Sequence, residues 1–79
     1  MSGFNARKFI QDKGWRKFNE CGSCGGGNKV EFKKPSLAGY EITIIIKRDI
    51  TDFYLTKYGQ LKAKGIASEE TLTEALQGL

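Results

Sequence analysis

Cys21 and Cys24 stand in the run CGSCGGGN, residues 21–28, and are the first groups in this chain whose type and spacing suggest chemistry. C-x-x-C followed by Gly is the shape of a zinc-knuckle turn, where small residues let backbone N–H groups approach the thiolates. Tetrahedral zinc takes four ligands. A second C-x-x-C is expected roughly 15–20 residues further on, and the chain offers neither Cys nor His there. Zinc at Cys21 and Cys24 would need two molecules sharing one ion, or carboxylates such as Glu20 and Glu31 to complete the shell. A redox pair usually opens a helix, whose dipole lowers the thiol pKa. Gly25-Gly26-Gly27 opens a helix poorly, and no βαβ pattern surrounds it. The expectation is two reduced, inert thiols in a loop and no resident cofactor, with shared zinc as the alternative.

The chain contains no His. That removes the commonest general base, most nucleophile-activating pairs and most catalytic zinc sites. Its nine carboxylates are scattered through a Lys-rich sequence, and no two are paired as glycoside hydrolysis requires. Gly22 to Gly27, followed by Asn28 and Lys29, imitates a phosphate-binding loop. Such a loop needs a helix after it and Ser or Thr directly after the Lys. Here Val30 follows Lys29 and the next run reads as strand. The sequence thus indicates a non-enzymatic binding module.

What it would bind follows from charge. The formal net charge is +4, but Glu69, Glu70 and Glu74 lie at the C-terminal end, so residues 1–67 carry thirteen basic groups against six acidic ones. A basic body meets phosphate backbones or an acidic protein surface. If Tyr40 to Lys64 is pleated sheet, one face carries Thr43, Ile45, Lys47, Tyr54, Thr56, Lys62 and Lys64, with Arg48 at its edge and Tyr58 at a turn. Rings beside cations on a sheet suit single-stranded nucleic acid, with bases stacking on Tyr while Lys and Arg meet phosphates. The candidate site is Lys47, Arg48, Tyr54, Tyr58, Lys62 and Lys64, extended by Lys29, Lys33 and Lys34. The alternative is a protein-interaction or homo-oligomerisation module, for which exposed Ile45 is the marker.

The elements that must position these groups read as α-β-β-β-β-α. Asn5 caps a short helix carrying Phe9 and Ile10 inward, and Gly14 stops it. Trp15 to Glu20 reads as a strand of poor alternation, because Trp15 and Phe18 fall on opposite faces unless a bulge intervenes. Residues 21–28 read as loop. Lys29 to Lys33 alternates cleanly, and YEITIIIK at Tyr40–Lys47 is the clearest strand. Thr51 to Lys64 reads two ways. As strands, Phe53 and Leu55 point inward, Tyr58-Gly59-Gln60 turns the chain, and Leu61 and Ala63 return inward. As a helix, Thr51 caps it, and Ile50, Phe53, Tyr54, Tyr58 and Leu61 form a stripe that Gly59 would interrupt. The β-branched and aromatic content favours strands. Ser68 caps a last helix carrying Leu72, Ala75 and Leu76, with Ile66 stapled onto Leu72.

The fold class expected is therefore α+β: one domain over residues 1–79, with an antiparallel sheet of three to four strands and both terminal helices on one face. The candidate core is Phe9, Ile10, Trp15, Phe18, Val30, Phe32, Ile42, Ile44, Ile46, Phe53, Leu55, Leu72 and Leu76. No apolar run approaches the 18 or so residues of a membrane span. The charged start of the chain does not fit a signal peptide, so the cytoplasm, where thiols stay reduced, is the expected location.

Overall fold

Two capped helices bracket five strands in a computed structural model that describes residues 4–24 and 26–79, with Cys24 described by its backbone alone. Helix α1 (Ala6–Asp12) begins where the Asn5 side chain accepts a hydrogen bond from the Lys8 amide, satisfying one orphan donor of the first turn. Helix α2 (Glu69–Leu76) begins at Ser68 with a full capping box, in which Ser68 and Thr71 exchange side-chain-to-backbone bonds. Glu69 and Glu70 in its first turn complement the helix dipole.

Between them run β1 (Arg16–Cys24), β2 (Gly27–Lys33), β3 (Tyr40–Ile46), β4 (Thr51–Lys57) and β5 (Gln60–Ile66). Every neighbouring pair is antiparallel and the spatial order is β1-β2-β3-β4-β5, a simple meander. Period-two alternation sends Val30, Phe32, Ile42, Ile44, Phe53 and Leu55 to one face, where they join Ala6, Ile10, Trp15, Ala67 and Leu72 in a single core cluster. Phe32, Ile10, Ile42, Ile44, Leu72 and Val30 are essentially solvent-free. Burying each contributes roughly 1.5–3 kcal/mol of transfer free energy. The helices cover this face only, and the opposite face of the sheet is open. No helix among the described residues is long and apolar enough to cross a membrane.

The sheet has five strands, not three to four. Thr51 to Lys64 is two strands joined by a two-residue turn at Tyr58-Gly59, with φ of 50° and 82°. Two positive φ values define the hairpin turn whose twist matches that of the flanking strands. β1 also continues through much of the Gly-rich run. It reaches Cys24, which pairs with Gly27 across a turn containing Gly26 at φ 86°. Gly25 of that run lies outside the described residues.

Three apolar residues assigned inward face water instead, each for a reason of register. At Phe18 the pairing passes from Lys17↔Phe32 to Asn19↔Glu31, so Phe18 is an extra residue and turns out, 42% exposed. At Lys62 the pairing passes from Leu55↔Ala63 to Thr56↔Leu61, which reverses the parity of Leu61 and leaves it 53% exposed. Ile66 pairs with Asp52 on the open face and is 56% exposed, so it cannot staple onto Leu72. Ile45 departs in the other direction. It lies on the open face between Lys29 and Asp52, in the central strand, yet is buried.

Candidate nucleic-acid interface

The open face is built in rows fixed by strand register. Asn19, Glu31, Thr43, Tyr54 and Lys64 form the middle row. Arg16, Lys33, Glu41, Thr56 and Leu61 form the next row toward the β4–β5 turn. Cys21, Lys29, Ile45, Asp52 and Ile66 form the row on the other side. Four strand spacings separate β1 from β5, so each row spans about 19 Å.

The candidate residues read from sequence divide along this face. Tyr54 and Lys64 are directly opposed across β4 and β5. Lys62 is the extra residue of the β5 bulge, and Tyr58 sits at the tip of the same hairpin, 74% exposed. One side of the Tyr58 ring is occupied. It lies over Gly39, where a Cβ would come within 2.5–2.8 Å of ring carbons, and the Tyr58 amide donates to the Gly39 carbonyl at 2.8 Å. Lys47 and Arg48 stand at the opposite end of the sheet, in the turn between β3 and β4 that a Lys47 N–H to Ile50 carbonyl bond closes. The Lys47 ammonium is held by Asp52 at 3.0 Å, and that bond raises the lysine's pKa above its ordinary 10.5. Lys47 is therefore neutralised locally and removed from the hairpin cluster.

Two residues on this surface were missed or misassigned by sequence reasoning. Arg16 opens β1 on the open face, and Phe18 lies beside Lys33, whose ammonium sits 5.2 Å from the ring centroid. The poor alternation of Trp15 and Phe18 was the available signal. Of the thirteen basic residues, Arg7, Lys8, Lys17 and Lys47 make ion pairs, each with Glu20, Asp12 or Asp52. The other nine have no carboxylate within 4 Å among the described residues. Five of these nine, Arg16, Lys29, Lys33, Lys62 and Lys64, belong to the open face or its β5 edge.

The cysteine chemistry is corrected in one respect. Cys21 is disulfide-bonded, not a reduced thiol. The chain has one other cysteine, Cys24, whose side chain lies outside the described residues. A sulfur in a disulfide is not a thiolate, so a zinc site at Cys21 and Cys24 would belong to the reduced chain alone. The carboxylates considered as co-ligands are also divided by the pleat. Glu31 shares the open face with Cys21 and accepts a hydrogen bond from Asn19 at 2.7 Å. Glu20 lies on the helix side, where Lys17 at 2.9 Å and the Asn28 amide at 3.3 Å bond it and Arg7 approaches to 3.9 Å. These partners, the Lys17 hydrogen bond first, hold the Glu20 carboxyl below its ordinary value of 4.5.

Comparison with protein-family models, with curated proteins and with solved structures found no match to this chain.

Proposed function

We propose that this protein binds single-stranded nucleic acid across the open face of its sheet, without catalysing a reaction on it. The observation that carries this reading is the placement of unpaired cations beside accessible rings on one uncovered surface. Lys64 lies opposite Tyr54 with Lys62 in the bulge of the same strand, and Lys33 lies beside Phe18 at the other side of the sheet. Tyr54 and Phe18 offer stacking surfaces that accept any base, and the lysines meet successive phosphates. Glu31 and Glu41 interrupt the positive surface, so cations on the two sides of the sheet, not a continuous stripe, hold the strand.

The reading is tested by titrating a labelled single-stranded oligonucleotide with the protein and its variants. Tyr54→Ala should weaken binding by about 1–3 kcal/mol, the worth of one stacked base. Lys62→Gln/Lys64→Gln should weaken it for every sequence alike, because phosphate contacts carry no sequence information. Lys47→Gln, at the far end and tied to Asp52, should change little. No binding by the wild-type protein at low salt would end this reading.

A second reading has its own observation. Leu61 and Ile66, 53% and 56% exposed, flank the free edge of β5, and an exposed apolar strand edge invites pairing with another chain. In this reading two copies associate through β5. Sedimentation decides: a dimer that Leu61→Ser/Ile66→Ser disperses supports it, and a monomer at tens of micromolar rejects it.

A further inference from the structure

A groove of about 390 Å³ opens at the end of the sheet, between the start of β1 and the connection from β2 to β3. Arg16, Lys33, Lys34 and Glu41 line it, and Leu37 and Tyr40, which also pack against the core, form its apolar side. Two consecutive turns shape it, closed by Leu37 N–H to the Lys34 carbonyl at 3.0 Å and Tyr40 N–H to the Leu37 carbonyl at 3.1 Å. The second has Gly39 at φ 86° in the position that demands a left-handed residue.

Resting on the reading above, we propose that this groove receives the terminal phosphate monoester of a nucleic-acid strand whose body lies on the open face. Charge selects the ligand. An internal phosphodiester carries one negative charge, and one or two cations serve it. A terminal monoester carries about −1.5 to −2 near neutral pH and three strong acceptor oxygens. Three cations without an ion pair among the described residues line the groove, against the single carboxylate of Glu41. The flexible ends of Lys34, beside Gly14, and of Lys33, beside Phe18, swing in to a bound anion. The surplus of two positive charges matches the monoester and exceeds what a diester uses. Arg16 supplies a planar fork suited to two phosphate oxygens. The amides of Ala38 and Gly39, which line the groove, make no hydrogen bond among the described residues and are spare donors for the third. The wall of Leu37 and Tyr40 accepts the sugar of the terminal nucleotide. Lys33 belongs both to this groove and to the open face, which puts the groove in line with a strand crossing the sheet.

The test uses oligomers of about ten nucleotides, within the usual site size of single-strand binders, labelled at one end and carrying either phosphate or hydroxyl at the other, with both polarities prepared. A terminal phosphate of one polarity should tighten binding about tenfold, the worth of one added charge-assisted contact. Arg16→Gln/Lys34→Gln should bring the phosphate-to-hydroxyl ratio back to about one, with far-UV circular dichroism confirming the fold. Equal affinity for phosphate and hydroxyl ends overturns the groove assignment and leaves the face reading standing. A preference that survives in the double variant also overturns it. No binding of either oligomer at low salt overturns both. A free nucleoside monophosphate that binds more tightly than the phosphorylated oligomer would overturn the assignment to a strand end.

Discussion

Replacing Gly39 by Ala challenges the fold where the proposed interface meets the connection between β2 and β3. Gly39 has φ 86°, a conformation that costs an L-residue about 1–2 kcal/mol. The added Cβ would also lie 2.5–2.8 Å from three carbons of the Tyr58 ring. Because Tyr58 is mostly exposed, its ring can move away, so this second cost is that of a lost contact and a strained rotamer, about 1 kcal/mol. Gly39→Ala should therefore destabilise the protein by about 2–3 kcal/mol. In a Tyr58→Ala background only the backbone cost remains, about 1–2 kcal/mol. The coupling between the two sites is then about 1 kcal/mol, large enough for a double-mutant cycle to resolve. Urea denaturation followed by Trp15 fluorescence suits the measurement, since Trp15 is buried in the core. Equal costs in the two backgrounds would refute the placement of the ring over Gly39. A cost near zero in both would refute the left-handed turn itself.

Other perturbations separate the remaining parts of the account. Ser68→Ala removes the α2 cap and its reciprocal bond with Thr71, and should lower stability by about 1 kcal/mol, read as a fall in Tm of roughly 4–8 °C. Phe32→Ala empties a fully enclosed site and should cost about 3–5 kcal/mol, enough to leave much of so small a domain unfolded in the same assay. Glu20, whose carboxyl is held low mainly by Lys17, contributes stability that is complete above its ordinary value of 4.5 and is lost as pH falls through its lowered value in the fold. Glu20→Gln should accordingly flatten the acid limb of a Tm-against-pH profile. Lys47 works in the opposite sense. Its contribution is complete below 10.5 and is lost as pH rises through its raised value, so Asp52→Asn should flatten the alkaline limb. Alkylation with iodoacetamide should leave Cys21 unmodified until a reductant is added. Modification of the unreduced folded protein would contradict the disulfide.

What could be read in the sequence was local and periodic. Asn5 and Ser68 announce their helices because a cap needs only its own neighbours. YEITIIIK announces a strand because alternation is carried within it, and the sidedness of Val30, Phe32, Ile42, Ile44, Phe53 and Leu55 follows from that alternation. Phe18 and Leu61 were lost for one physical reason, whereas Ile66 is outward by the plain alternation of β5 and only the helix-staple expectation placed it inward. The side-chain period of a strand is two, so one extra residue sends everything beyond it to the other face. No local signal in the sequence says that Lys62 is that residue, because the bulge is set by how its neighbours Leu61 and Ala63 pair with Thr56 and Leu55 across the turn. The division of the candidate site has a similar origin. Lys47 and Lys64 share a face, but the Asp52 that neutralises Lys47 becomes its neighbour only when the β3–β4 turn closes. The groove at Arg16, Lys33 and Lys34 was also beyond the sequence, because it joins the start of one strand to the end of another.

The central claim is that cations on the open face meet the phosphates of a single strand, and the salt dependence of binding measures that contact. On a strand with hydroxyl ends, where no terminal phosphate occupies the groove, Lys33, Lys62, Lys64 and Arg16 each engage one internal phosphate, and log K should fall linearly with log salt at a slope of about −3. That is the result expected for an unstructured oligonucleotide titrated between roughly 50 and 200 mM salt. A slope near zero, or no binding at the lowest salt, would contradict the account.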